Sequence, residues 1–287
     1  MIAIHIPVLL KEIIELLDPK PGENFIDGTF GGGGHTRVIL EKIQPGGRLL
    51  AVDWNERAVQ LCHQPINCVQ GNFADLLKIM RDNNFPPANG LLLDLGISSD
   101  ELESSGRGFS FQKDEPLLMT YNNEQKPVKE ILKELTEMEL AEIIKKFGEE
   151  RYAQTIAAAI KQRERIRPIE TTRELVELIF KATPVKYHHL KIHPATRTFM
   201  ALRIYANREL ENLEKVLLDL EKIMARGGRV AVITFHSLED RIVKNYFRDL
   251  VRAEKARALT KKPVIATEEE VRENPRSRSA KLRAISL

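Results

Sequence analysis

Asn24-Phe25-Ile26-Asp27-Gly28-Thr29-Phe30-Gly31-Gly32-Gly33-Gly34-His35 is the stretch whose reading decides the fold. A short apolar run ends on an acid, a glycine turn follows, and Thr36–Ile43 continues with helical spacing. A glycine turn between a strand and a helix is where an open α/β sheet holds a nucleotide. Absent side chains let the backbone approach a ligand closely and permit positive φ. Four consecutive glycines are costly to order, so a turn with no ligand explains them poorly.

The same pattern extends outward. Arg48–Asp53, Ile66–Gln70, Gly90–Leu95 and Arg229–Phe235 read as further strands, with helical spacing at Thr36–Ile43 and Glu56–His63. Unbroken apolar strands alternating with helices predict a mostly parallel sheet covered on both faces. Val8–Leu17 reads as an amphipathic helix closed by Asp18-Pro19. From about Ser105 to Ala195 the pattern changes to helical segments at Val128–Phe147, Glu149–Arg165 and Thr172–Lys181, the last capped near Thr171. Ala195–Met224 has the spacing of one long helix or two, ended by Gly227-Gly228, and Pro263–Thr267 and Lys281–Ser286 read as closing strands. The prediction is an α/β domain of residues 1–104 and 196–287, interrupted by a helical insertion at 105–195.

Composition narrows the class. The chain has 287 residues, 43% hydrophobic and 30% charged, which suits a soluble globular protein of about two domains at ~100–200 residues each. No apolar run nears the ~18 residues that span a bilayer. Lys11 and Glu12 interrupt the apolar start, and no small-residue cleavage site follows. Cys62 and Cys68 are too few to staple such a chain, and no Cys/His quartet suggests a zinc site. A reduced, cytoplasmic, metal-free protein is expected. The net charge of +3 hides an asymmetry, because residues 161–208 carry eleven Lys and Arg against four acids, whereas residues 1–100 carry eight against twelve. Asn274–Leu287 adds Arg276, Arg278, Lys281 and Arg283 with no acid. Such segregation points to a polyanionic partner.

A dinucleotide fingerprint spaces three glycines to seat a pyrophosphate on a helix N-terminus, and Gly28-x-x-Gly31-Gly32-Gly33-Gly34 departs from it. Asp53 ends the second strand, where a carboxylate can accept both ribose hydroxyls, and Asp27 can meet an ammonium group. A ribose, an adenine and an amino acid without a pyrophosphate describe S-adenosylmethionine. Phe73, after the third strand, can pack on the adenine. Asp94 ends the apolar fourth strand, and a carboxylate in that setting needs a partner.

With these residues in view, the chain resembles the bacterial 16S ribosomal RNA cytosine-N4 methyltransferases. The likeness runs through His5–Leu10, Asp27–His35, Asp94–Ser99, Arg107–Phe111, His193–Phe199, Ala201–Ile204, Phe235–Arg241 and Asn274–Arg283. It implies a class I methyltransferase (Rossmann-like) domain, S-adenosylmethionine as methyl donor and the RNA of the small ribosomal subunit as partner. It also implies cofactor contacts at Gly33, Gly34, His35, Asp53, Phe73, Asp94 and Glu101. The family usually carries Gln or His at Glu101. Over Leu117–Tyr121 this chain lacks an aspartate and an arginine that the family typically has. For catalysis the expected residues are Asp94, with Ser98 and Ser99 as hydrogen-bonding neighbours, and His236 beyond the fifth strand. For RNA they are Arg197, Arg203, Arg276, Arg278 and Arg283, because arginine forks suit phosphates and stacked bases. A homodimer is left open. The rival classes are a nicotinamide oxidoreductase and a ribosome-assembly protein without activity.

Overall fold

The computed structural model describes residues 7–62, 66–98, 101–102 and 105–287. The chain divides into two compact units, residues 1–96 with 210–287, and residues 97–209.

The first unit holds a seven-stranded sheet: β1 (Asn24–Asp27), β2 (Arg48–Asp53), β3 (Asn67–Gln70), β4 (Ala88–Asp94), β5 (Met224–Thr234), β6 (Arg257–Ala258) and β7 (Lys281–Ser286). Their order is β3-β2-β1-β4-β5-β7-β6. β1 to β5 run parallel, while β7 pairs antiparallel with both β5 and β6. This is the class I methyltransferase arrangement the resemblance implies. Alternation along each strand feeds two cores. Ile26, Leu50, Val52, Leu91, Leu93, Val230 and Val232 enter one, and Phe25, Leu49, Ala51, Leu92, Ala231 and Ile233 enter the other. Both faces are therefore buried, which is why these strands read as continuous apolar runs. Helices α1 (Leu10–Leu17), α2 (Gly34–Ile43), α3 (Glu56–Gln60) and α4 (Leu76–Asp82) are interleaved with them.

Three expectations in this unit change. Gly227-Gly228 does not end a helix; both lie inside β5, where Gly227 adopts φ 78° and the register against β4 shifts. Pro263–Thr267 forms only a single bridge, Val264 to Leu282, and the edge strand is Arg257–Ala258 instead. Pro263 has no N–H to give a ladder. Cys62 and Cys68, expected as separate thiols, are joined in a disulfide with Cα atoms 6.4 Å apart.

The second unit is helical. Among its described residues the only β pairing is an isolated bridge, Pro116 to Thr171. The expected helix Val128–Phe147 is two helices, Val128–Glu134 and Glu137–Gly148, because Thr136 and Glu139 form a reciprocal cap between them. The stretch Ala195–Met224 likewise breaks at Arg208, which adopts φ 52°. Helix Thr196–Asn207 buries Phe199 and Leu202 in the helical core with Leu140, Ile144, Ile156 and Leu175. It thus belongs with residues 97–209, whereas the sequence reading ends the insertion at 195.

Gly148 sets how closely two of these helices approach. A Cβ there would lie 2.6 Å from the carbonyl oxygen of Arg197, which is backbone and cannot swing aside. Gly148→Ala is expected to cost about 1–3 kcal/mol, the range for overpacking, read as an earlier denaturant midpoint. An unchanged midpoint would contradict the close approach. Among the described residues, no helix is long and apolar enough to cross a membrane.

Candidate functional site

The carboxyl edge of the parallel strands gathers the expected residues of the first unit. β1 ends on Asp27, β2 on Asp53 and β4 on Asp94, three acids on adjacent strands. Phe73 follows β3 in a short 3-10 turn, and His236 follows β5 at the head of helix Ser237–Arg252.

The loop after β1 is held in place from several directions. Gly31 adopts φ 52° and Gly33 φ 70°. The Gly31 N–H donates to Asp53 Oδ2 at 2.7 Å, and the Asn55 N–H donates to the other oxygen at 2.8 Å. Each oxygen retains a lone pair for a hydroxyl group. A Cβ on Gly33 would lie 2.8 Å from the Phe30 ring, and one on Gly34 would lie 3.1 Å from Pro7. Arg37 turns its fork inward, donating to the carbonyls of Gly32 and Gly33 at 2.9 and 3.1 Å. The nearest arginine is therefore spent on the loop itself rather than offered to a pyrophosphate. A Cβ on Gly28 would meet Leu93 at 2.5 Å and Phe73 at 3.3 Å, so Phe73 packs directly over the strand end.

Asp27 is buried, accepting from Thr36 Oγ1 at 2.5 Å and from the Thr29 N–H at 3.1 Å. Thr29 reaches back to Asp94, its Oγ1 accepting the Asp94 N–H at 2.7 Å. His35 donates from Nε2 to the Val8 carbonyl at 2.9 Å, since a carbonyl can only accept. Its Nδ1 therefore faces Asp94 Oδ2, 3.9 Å away. Thr29 and Thr36, the braces of this edge, were not picked out by sequence reasoning. Their hydroxyls lie two and nine residues beyond Asp27, a spacing that points to them only once the loop is folded.

The electrostatics follow from burial. Desolvation pushes Asp53 up to about 6 against the pull of the Gly31 and Asn55 N–H groups. Asp27 is raised by desolvation despite its bond to Thr36. Asp94 is raised by desolvation, with Asp27 and Glu239 adding to the shift and His35 and the Gly96 N–H opposing it. Three acids on adjacent strand ends favour a cationic ligand and repel an anionic one. A sulfonium nucleoside with an ammonium group fits this edge, and a pyrophosphate does not.

The other expected residues sit as follows. His236 is the N-cap of its helix: its Nδ1 accepts the Glu239 N–H, and Nε2 lies 3.0 Å from Glu239 Oε1 without hydrogen-bond alignment. Beside it, Phe235 packs against Gly96, where a Cβ would be 2.8 Å from the ring. Ser98 and Glu101, in the second unit, cap each other, Glu101 Oε2 accepting the Ser98 N–H at 2.8 Å and Ser98 Oγ accepting the Glu101 N–H at 3.2 Å. Ser99 lies outside the described residues. Arg203 closes its fork on Glu209 at 2.8 and 2.9 Å, and Arg197 donates to the Glu149 carbonyl at 2.7 Å. Arg283 pairs with Asp240 at 2.7 Å, while Arg276 is half-buried and Arg278 is exposed. Charge marked these arginines; that Arg203 and Arg283 close on acids and Arg197 on a carbonyl is visible only in the fold.

The profile described as the MraW methylase family matches residues 2–287. A protein of Trichlorobacter lovleyi named ribosomal RNA small subunit methyltransferase H is 43% identical, the match covering 98% of this chain and 97% of that one. Proteins of the same name from Thermotoga neapolitana and Deinococcus radiodurans are 45% and 44% identical, covering 99% and 97% of this chain and 96% and 88% of theirs.

Proposed function

The chain belongs to the MraW methylase family, and from that premise we propose that it transfers a methyl group from S-adenosylmethionine to the exocyclic N4 of a cytosine in 16S ribosomal RNA. The observation that carries this reading is the row Asp53–Asp27–Asp94 beside a glycine loop whose carbonyls occupy the Arg37 guanidinium. The relatives' shared name supports a small-subunit ribosomal RNA substrate, and such a substrate supports a cytoplasmic location.

The bound donor supplies an electrophilic methyl group on a sulfonium. Gly31 to Gly34 and Asp53 hold its nucleoside, and Phe73 covers the adenine. His35 and Asp27 are buried beside the strand ends, and Glu101 is a further contact that the family resemblance implies. Asp94 accepts an N–H of the cytosine amine, whose lone pair is otherwise delocalised into the ring. With the donor bound, its sulfonium would release the methyl group to N4 and keep the electron pair of the C–S bond, and Asp94 would take the proton that N4 releases. A carboxyl held above its usual range is the stronger base for that task. Most of the acceleration comes from positioning, which contributes ~7–11 kcal/mol in well-oriented reactions. Ser98 and Glu101 cap each other, and His236 fixes the helix that follows β5. All three acids come from one chain, so a homodimer is not required to complete the edge.

Incubation of the protein with radiolabelled donor and small ribosomal subunits is expected to label the RNA. Nucleoside mass spectrometry then places the methyl group on cytosine N4. Labelled ribose or a labelled C5 position would overturn the reaction, and binding to subunits without any transfer would favour the silent assembly protein.

A further inference from the structure

Glu150 is 1% exposed in the helical unit, an unusual place for a carboxylate. Its two oxygens are committed, one accepting the Tyr152 N–H at 2.9 Å and the other the Tyr187 hydroxyl. Burial and the Glu150 carboxylate push the Tyr187 phenol up to about 12, so it remains a donor. The two tyrosine rings meet edge to face, with centroids 4.9 Å apart. Between these fixed groups the chain places Arg151, whose guanidinium carbon lies 5.4 Å from the Tyr152 centroid and 5.1 Å from that of Tyr187. Arg151 itself is exposed. Among the described residues, no carboxylate pairs with it.

This differs from the arginines that charge alone singled out. Arg203 and Arg283 have their forks closed on acids, whereas Arg151 lies over two aromatic rings and is exposed. Stacking on aromatics holds the guanidinium plane without consuming its donors. The ordering cost of a long side chain is thus met before any ligand arrives. Tyr187 is flanked in sequence by Lys186, His188 and His189, and Arg197 bonds the carbonyl of Glu149 two residues before Arg151. Lys186 and Arg197 thus add positive charge in this region, set against the adjoining acids Glu149 and Glu150.

We propose that Arg151 is a preorganised clamp for a phosphodiester of the RNA substrate, positioned by the buried Glu150–Tyr187–Tyr152 set. The assignment rests on the ribosomal RNA reading above and adds a positioning residue to it. Arg151 acts on substrate binding, not on the methyl transfer.

The test compares wild type, Arg151→Gln and Arg151→Lys for binding to purified small ribosomal subunits between 50 and 200 mM salt. Arg151→Gln is expected to bind about tenfold more weakly, with a log–log salt slope shallower by roughly 0.7–0.9, the change for one lost phosphate contact. Arg151→Lys keeps the charge and should keep the slope, while losing part of the affinity along with the planar stack. Affinity for S-adenosylhomocysteine and kcat at saturating subunits should be unchanged, so the effect falls on KM. Equal affinity and slope in wild type and Arg151→Gln would overturn the clamp. Absence of methyl transfer in all three proteins, with the binding differences intact, would instead overturn the methyltransferase reading and leave the clamp standing.

Discussion

Asp94→Ala is expected to lower kcat for methylation of small ribosomal subunits by about 10²–10⁴-fold, the span associated with losing a positioned proton acceptor. The fold should survive. Asp94 is a buried acid whose ionisation is opposed by desolvation and by Asp27 and Glu239, so its removal relieves repulsion instead of breaking a stabilising pair. The far-ultraviolet circular dichroism spectrum and the denaturant midpoint are therefore expected to match wild type. Asp94→Asn keeps the shape and one accepting oxygen but cannot take a proton, and should fall nearly as far. Wild-type turnover in either variant would remove Asp94 from the chemistry.

Asp53→Ala should abolish measurable donor binding for a different reason. The carboxylate can accept two ribose hydroxyls, and hydrogen bonds to a charged group contribute about 1.5–3 kcal/mol each. The substitution also frees the Gly31 and Asn55 N–H groups that shape the loop. The dissociation constant for S-adenosylhomocysteine is expected to rise by about 10²-fold or more, measured by isothermal titration. A pH dependence accompanies it. Asp53 sits at about 6 in the folded protein against an ordinary 3.8, so its neutral form is favoured by folding. That contribution to stability is present at low pH and is lost as pH rises from the ordinary value through about 6. Ligand affinity runs the other way, because only the carboxylate accepts both hydroxyls. Affinity should climb by nearly tenfold per pH unit below about 6 and level off above it, and Asp53→Asn should flatten the curve. A wild-type affinity that is flat from pH 5 to 8 would separate Asp53 from the ribose.

How much of this was legible in the sequence depends on whether a residue's role is local. β1, β2 and β4 announce themselves because both faces are buried and each ends on an acid or a glycine turn. The loop at Gly31–Gly34 and the acids Asp53 and Asp94 are readable for the same reason. β6 is not, since its two residues are exposed and nothing apolar marks them. Gly227-Gly228 misleads because a glycine pair in a bulged strand carries the same signature as a helix end. Partnership across the chain is the least visible property. Arg203 and Arg283 look like free cations until Glu209 and Asp240 are placed beside them. Arg151 looks like an ordinary surface residue until two tyrosines are found beneath it.

The pairing of β4 with β5 has a consequence for how the enzyme is made. Asp94 leaves the ribosome more than a hundred residues before its neighbouring strand, with the whole of residues 97–209 synthesised in between. Joining strands so far apart in sequence carries a loop-closure cost that grows with the free length between them. Domains generally fold as units during translation, in order of emergence. A helical unit that has already condensed removes most of that slack. Met224–Thr234 thus docks late against a half-sheet formed well before it, and only then can β7 and β6 pair beyond it.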